Sequence, residues 1–560
     1  MGDDDGLQLL ELWRLGSLPN PQPESPTPRS TSSTDKALPT GQQALDHLIR
    51  RFMQRVGADC RDWLAQWAHS IGNRFDIATA CSGTELPKMV FDSLARVCTS
   101  DLSSPLTVES AFAAELNPWK QRFIRQAFPG LPCMFSDARD LGRIEAYDVI
   151  SGGLVRVPPA KCLVAGFPCT DLSLLSSHSS SVANRSCILN ASLRTGGVYA
   201  GLMEYIDAHG LAFPEHGQVG LESIVFENVV ALASPPRHQK RGNICGPTNL
   251  QVCLARLAKR GWYGKPWKLT PTLFGVPQCR PRIYITCFPT SILAELQMTL
   301  AEFDSWLSHM MAGLVGSEMQ KVNDYLHDEQ DHAVQAEYAR LQRHSLARSA
   351  ADDGNLRLDR RRSPATKWPE QHARGAGPGE EWWLNYETYV DNFPGMLDLN
   401  DREVDHLRHH DIVVPEPVPT ILDVNPSQVR TAVMRERVGC MVPRARFFLA
   451  HRGRLMLGTE ALRFQNIWLQ DSMELQMLEE FGSRSLMDLA GNAMEGCCLG
   501  SAVFLSILVA ARRVALRSPA LGPPPSVPSI QILGELDDAE DDGFDISTLW
   551  PQGKRQKLDR

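Results

Sequence analysis

The sequence predicts an α/β fold: a doubly wound, Rossmann-like sheet accompanied by a smaller irregular domain. Three observations predict it. Short apolar runs alternate with helical patterns across residues 71–295. Gly83, Glu115, Cys169 and Glu227, four chemically distinct residues, stand at or just past the ends of those runs. In open parallel sheets ligands collect beyond the carboxyl ends of the strands. The alternation then stops over residues 300–460.

Taken in order, residues 1–40 are a disordered or linker N-terminus. An acidic start leads to Leu7, Leu9, Leu10, Leu12 and Trp13, which read as a short docking helix or a frayed end, and 17–40 are rich in Pro, Ser and Thr. Residues 41–70 form a helical extension, with Leu45, Leu48, Ile49, Phe52, Val56, Trp63, Leu64 and Trp67 at helical spacing. The sheet domain occupies 71–299. Its first strand, 75–79, runs into Cys81-Ser82-Gly83, and the next helix carries Leu86, Val90, Leu94 and Val97 with Pro87 in its first turn. A second strand at 107–114 ends at Glu115, and Asn117-Pro118 then caps and opens a helix. Further strands are expected at 162–167, 223–226 and 283–288. The irregular domain spans 300–470, with a basic stretch from Arg340 to Arg374 and an aromatic cluster of Trp382, Trp383, Tyr386, Tyr389 and Phe393. A strongly apolar helix returns within 471–515. The tail, 516–560, is Pro-rich, then acidic, then basic at Lys554-Arg555-Gln556-Lys557, and is expected to be disordered.

Composition sets the outer bounds. Hydrophobic residues make up 43% of the 560 and charged residues 22%, which excludes a wholly disordered or collagen-like chain. With a net charge of -8, any nucleic-acid surface has to be a local basic patch. The 14 cysteines include no C-x-x-C pair, which argues against zinc ribbons, fingers and thioredoxin-like sites, so no metal is expected. Free cysteines without a signal peptide suggest a reducing, intracellular compartment. The apolar run 497–511 is too short to span a bilayer and reads as a buried helix, so no membrane partner is expected.

Four segments carry residues suited to chemistry. Cys169, after Pro168 at the end of a buried strand, suits a nucleophile; an inert buried thiol is the other reading. Glu227, in Ser223-Ile224-Val225-Phe226-Glu227-Asn228-Val229, follows an apolar run. Its carboxyl is therefore either desolvated and raised in pKa, or simply paired with an arginine. Arg280 and Arg282 alternate along an extended segment and so share a face, either to grip an anion bidentately or as a solvated pair. The turn Cys81-Ser82-Gly83-Thr84, with Glu115 on the next strand, fits a ribose-binding edge or only a tight connection.

In this order the segments resemble the cytosine-C5 methyltransferase family. Residues 75–85 are similar to its cofactor motif, Glu115 to its ribose-binding acid, and Ser136-Asp137 to its adenine-binding aspartate. Pro168-Cys169 is similar to its catalytic Pro-Cys, Glu227-Asn228-Val229 to its Glu-Asn-Val, Gln278-Cys279-Arg280-Pro281-Arg282 to its Gln-x-Arg-x-Arg, and Gly491-Asn492-Ala493 to its closing Gly-Asn-Ser/Ala. The resemblance implies a methyltransferase sheet with a smaller target-recognition domain and S-adenosyl-L-methionine as cofactor. The cofactor would be held by Ala80, Cys81, Ser82, Gly83, Thr84, Glu85, Glu115, Leu116, Asp137, Pro168, Asn492 and Ala493. It implies double-stranded DNA as partner, with the cytosine flipped out. Cys169 would attack C6, Glu227 would hold N3 and the exocyclic amine, Asn228 would shape the motif, and Arg282, with Arg280 nearby, would steady the base and the motif. It also implies a mobile lid over 174–197, rich in Ser and ending in Gly196-Gly197. The chain departs from the family where Cys81, Thr84 and Leu116 replace the usual aromatic, glycine and tryptophan, and where Thr170 replaces glutamine. Alternatives are a tRNA cytosine-5 methyltransferase and a catalytically silent DNA-binding relative. The basic run at 554–557 suggests the nucleus.

Overall fold

A computed structural model describes residues 43–172, 187–210, 220–234, 247–351, 392–425 and 432–517. The expectations for 1–40, for Arg360 to Arg362, for Trp382 to Tyr389 and for the basic run at 554–557 lie outside the described residues.

Nine strands form one sheet: β1 (Arg74–Ala80), β2 (Thr107–Ala114), β3 (Met134–Phe135), β4 (Glu145–Asp148), β5 (Gly153–Arg156), β6 (Cys162–Ala165), β7 (Ser223–Val229), β8 (Trp262–Leu269) and β9 (Arg282–Pro289). Their order is β5-β4-β3-β2-β1-β6-β7-β9-β8. The centre, β3-β2-β1-β6-β7, is parallel, while β4 and β5 on one flank and β9 and β8 on the other pair antiparallel. The chain winds outward in both directions from the β1–β6 junction, which is where such sheets open a crevice. β8 was not legible beforehand, because Gly264 and Pro266 interrupt its apolar pattern. It lies at the sheet edge, where proline's missing N–H does no harm.

The central strands are buried on both faces, and alternation decides which side each residue serves. Phe75, Ile77, Cys162, Val164 and Val225 face one apolar cluster; Ala78, Ala80, Leu163, Ala165 and Phe226 face the other. Arg194–His209 and Asn249–Ala258 cover the second face. The first face is covered by Ala44–Arg55, Ala58–Ser70, Leu86–Asp101 and Gly496–Arg517, so sequence-distant helices close the same layer. Gly496–Arg517, apolar enough by composition to cross a membrane, is buried along its apolar window. Leu300–Leu314 joins this layer through Phe303, Trp306, Leu307 and Met311, so the first part of 300–470 packs on the large sheet's core.

A second sheet, antiparallel in the order β11-β10-β12-β13, comprises β10 (Thr420–Asp423), β11 (Val433–Arg435), β12 (Phe447–Leu449) and β13 (Arg454–Leu455). It has its own small core of Met396, Leu399, Leu407, Ile412, Val414, Leu422, Val424, Phe448 and Ala450.

One expectation is corrected. Gly196 and Gly197 are not the hinge of a lid. They are buried in the first turn of Arg194–His209, and a Cβ on Gly196 would sit 2.2 Å from the Cys187 carbonyl oxygen. They are small so that the helix can approach its neighbours closely. The remainder of the expected lid, 174–186, lies outside the described residues.

Candidate active site

The first group of site residues converges at the ends of β6 and β7. β6 leads through Gly166-Phe167-Pro168 to Cys169, which is half-buried, as is Pro168. Asn228 on β7 is 2% exposed and ties this segment down. Its Nδ2 donates to the Phe167 carbonyl at 2.9 Å, and its Oδ1 accepts from the Val229 N–H at 2.8 Å. Glu227 and Arg282 meet because β7 and β9 pair antiparallel with Val229 opposite Arg282. Glu227, two residues before Val229, therefore shares its face and is Arg282's diagonal neighbour. Arg282 Nε lies 3.3 Å from Glu227 Oε1, with the side chains only 12% and 14% exposed.

The electrostatics follow from this packing. Burial pushes the Glu227 carboxyl above its ordinary range, and Arg282, then Arg280, pull against it. Burial also raises the Cys169 thiol; the Glu227 charge adds to this, while Arg282 and Arg280 oppose it.

Arg280 requires a correction. It does not stand beside Arg282 as a second hand on the base. It is 3% exposed, and its hydrogen bonds go to main-chain carbonyls: Nη1 to Met441, Nη2 to Gly491 at 3.1 Å and to Ala493 at 2.6 Å. It is a clamp that draws the Gly491-Asn492-Ala493 turn and the 441 segment onto the start of β9.

The second group lines the ends of β1 and β2. β1 ends at Ala80, and Cys81 follows with its amide on the Ala114 carbonyl at 2.8 Å. Burial pushes the Cys81 thiol up to about 12, Glu115 contributing, so it is a neutral thiol at pH 7. Gly83 takes φ +73, a conformation costly for other residues, and a Cβ there would lie 3.6 Å from the Asn492 carbonyl oxygen. Glu85, fully buried, accepts from Thr79 Oγ1 at 2.7 Å and from Ser82 Oγ at 2.9 Å. Burial raises its carboxyl to about 7 against those hydrogen bonds. Glu115 is 8% exposed, and its Oε1 accepts from the Asn117 N–H at 2.9 Å. Leu116 beside it is 46% exposed. Asp137 caps a short turn and pairs with Arg139, which holds its carboxyl below the ordinary range against burial. Asn492 is exposed, its Nδ2 donating to the Asp488 carbonyl at 2.7 Å, while Ala493 is buried.

The two groups adjoin. A Cβ on Gly166 would lie 2.9 Å from Met494 Cε, 3.3 Å from the Cys81 carbonyl oxygen and 3.4 Å from Glu227 Oε2. Residues 81, 166, 227 and 494 are thus brought together at one place, joining the two groups. Sequence reasoning missed Thr79, Met494, Cys440 and Met441. Thr79 carried a signal in its place, two residues before the Cys81-Ser82-Gly83 turn. The other three belong to no pattern, since they arrive from segments folded in from elsewhere.

The residues on the β1–β2 side fit S-adenosyl-L-methionine. Among the described residues the Thr84 hydroxyl is buried without a hydrogen-bond partner, Leu116 offers an exposed apolar face, and Glu115 supplies a carboxylate to a ligand carrying ribose hydroxyls.

No family model matches the chain. Two curated relatives do, both named DNA (cytosine-5-)-methyltransferase DMT5. That of Cryptococcus neoformans var. grubii is 23% identical over 474 residues, covering 79% of this chain and 17% of the relative. That of Verticillium dahliae is 22% identical over 487 residues, covering 80% of this chain and 20% of the relative. The chain therefore spans about a fifth of the length of the curated relatives it matches. Similar solved structures include the S. pombe Dnmt2 methyltransferase, at 11% identity, 78% of this chain, 98% of that one and a TM-score of 0.38. Another is a putative DNA modification methyltransferase encoded within an E. coli prophage, at 12% identity, 77% and 98% coverage and a TM-score of 0.39. The fold class itself rests on the strand order given above. Over about four fifths of its length the chain is similar to two proteins named as DNA (cytosine-5-)-methyltransferases.

Proposed function

We propose that the chain is a DNA cytosine-5 methyltransferase that uses S-adenosyl-L-methionine. The reading is carried by one observation: the Glu227–Arg282 pair, at 3.3 Å, sits beside the Cys169 segment that Asn228 fastens to the same strand. A cytosine inside a duplex presents neither C6 nor N3 to a side chain, so the base is flipped into the crevice. The Cys169 sulfur adds to C6. Glu227, its carboxyl raised by burial, holds a proton at N3 and accepts from the exocyclic amine, so the ring takes the sulfur without building up negative charge. Arg282 orients the carboxyl, and Asn228 sets the distance between carboxyl and sulfur. When bound, the cofactor supplies an electrophilic methyl group to the now nucleophilic C5. Loss of the C5 proton and expulsion of Cys169 restore aromaticity; a thiolate serves because it both attacks and leaves well.

Cys169 is raised by burial and by Glu227 in the unliganded protein, so the free enzyme holds a thiol. Once the Glu227 charge is neutralised against the base, burial is left to oppose the two arginines, and the sulfur ionises more easily than in the free protein. Arg435, Arg437 and Arg444, exposed on the small-sheet side, suit phosphate contacts despite the net charge of -8.

The test is transfer of labelled methyl groups from the cofactor to duplex DNA and, in parallel, to tRNA. Transfer to duplex DNA, with a covalent Cys169 adduct trapped by 5-fluorocytosine, is the expected result. Transfer to tRNA alone, or turnover without an adduct, overturns the reading.

A further inference from the structure

Residues 438–441 precede β12 of the small sheet, yet they are stitched to the lead-in of β9. Gln278 bridges Val438 in parallel. The Cys279 N–H donates to the Val438 carbonyl at 2.9 Å and the Val438 N–H to the Pro277 carbonyl at 2.8 Å. Arg280 Nη1 then holds the Met441 carbonyl. These three hydrogen bonds, two of which form the bridge, dictate where Cys440 sits. Arg282 Nη1 donates to its sulfur at 3.6 Å, while Nε of the same guanidinium lies 3.3 Å from Glu227 Oε1. Nη1 also donates to the carbonyl of the adjoining Pro281 at 2.9 Å, so the planar cation has three acceptors, of which the Cys440 sulfur alone comes from the small-sheet side.

On the reading given above, we propose that Cys440 is a positioning residue for Glu227: its sulfur anchors Nη1 of Arg282 so that Nε is presented to the carboxyl. The Pro281 carbonyl ties Nη1 only to its own stretch of backbone; Cys440 adds a hold from a second segment, which fixes the guanidinium relative to the small-sheet side. The anchor comes from the small-sheet side, so the geometry of the pair depends on how that side is seated.

The groups facing the sulfur are Arg282 and Arg280 from the β9 lead-in, Glu227 from β7 and the neighbouring Cys279. Burial and Glu227 oppose ionisation of Cys440, but Arg282 and Arg280 outweigh them and draw its thiol below the ordinary value. The Cys169 thiol is shifted the other way. Of these two sulfurs, the one that ionises more readily is therefore not the one placed as nucleophile.

The experiment titrates Cys440 in the full chain by ultraviolet thiolate absorbance, taken as each protein minus its Cys440→Ser counterpart, with no ligand added. The expected midpoint lies below that of an ordinary thiol. It moves down by about half a pH unit or more in Glu227→Gln and up by a similar amount in Arg282→Gln. A midpoint at or above the ordinary value, or one unmoved by both substitutions, overturns the proposal. In the activity arm, Cys440→Ala lowers kcat by about tenfold with KM for duplex DNA little changed, and Cys440→Ser recovers most of the loss. Wild-type turnover by Cys440→Ala overturns the positioning role. If the wild-type chain methylates no nucleic acid, the proposed function fails, and the thiolate titration still decides whether Cys440 and Glu227 share Arg282.

Discussion

Asn228 Nδ2 donates a 2.9 Å hydrogen bond to the carbonyl oxygen of Phe167, 61 residues earlier in the chain. That bond joins the strand bearing Glu227 to the segment bearing Cys169, and it is buried, so no water replaces it. Asn228→Ala strips a partner from the Phe167 carbonyl and from the Val229 N–H together. The expected cost is about 1–3 kcal/mol of stability, read from denaturant unfolding. Turnover should fall by about tenfold or more, because the nucleophile's segment is no longer registered against the carboxyl. Stability loss without loss of turnover would reduce Asn228 to a core residue.

Cys169→Ser replaces the soft sulfur with a hydroxyl that is a poor nucleophile and leaving group here. Methyl transfer should fall by at least about a thousandfold. Cofactor and DNA binding should change little, since the substitution alters the side chain's size and polarity only slightly. Methylation at the wild-type rate would end the covalent mechanism.

Glu85 makes stability depend on pH in a defined window. Its folded pKa, about 7, lies above the ordinary carboxyl value of 4.5 because it is buried. Any stability linked to its protonation is full below about 4.5 and is lost as pH rises through about 7. The difference is on the order of 3 kcal/mol. Glu85→Gln, which cannot ionise, should therefore gain on the wild type as pH rises through that window and hold a constant difference beyond it. Thermal melts of both proteins across the range measure this; parallel curves would place the ionisation elsewhere.

Arg280 and Arg282 stand two residues apart and should fail differently. Arg280→Ala abandons three carbonyls from two remote segments and should cost about 3 kcal/mol or more of stability. Arg282→Gln should depress turnover far more than it depresses the melting temperature, because its partner Glu227 can take up a proton instead. Equal effects of the two substitutions on stability would contradict the distinction.

Gly196→Ala separates close packing from hinge action. A Cβ there meets the Cys187 and Asn190 carbonyl oxygens at 2.2 and 2.3 Å, so backbone has to move. The expected result is destabilisation of about 1–3 kcal/mol or more. A changed turnover number at an unchanged melting temperature would restore the hinge.

Much of the sheet was legible beforehand because its signals are local. Buried parallel strands are apolar runs, and Asn117-Pro118 writes its own helix start, with Asn117 Oδ1 accepting from the Trp119 N–H at 3.1 Å. β8 was hidden because edge position, not composition, is what tolerates Pro266. The two readings left open for Glu227, a desolvated carboxyl or an arginine pair, are both realised. Burial raises its pKa and Arg282 sits against it.

By itself the sequence determined which residue types stand at which strand ends, since alternation and turn chemistry act over a few neighbours. It could not assign Arg280 and Arg282 their separate tasks: the two are chemically identical, and only the β7–β9 register and the inward-folded carbonyls of 441, 491 and 493 tell them apart. Nor did any local pattern bring Met494 against Gly166 or Cys440 against Arg282. Those contacts join residues 328 and 158 positions apart. They exist because helix Gly496–Arg517 and the small sheet bury their own apolar surfaces against the large sheet, and that packing delivers the last residues to the crevice.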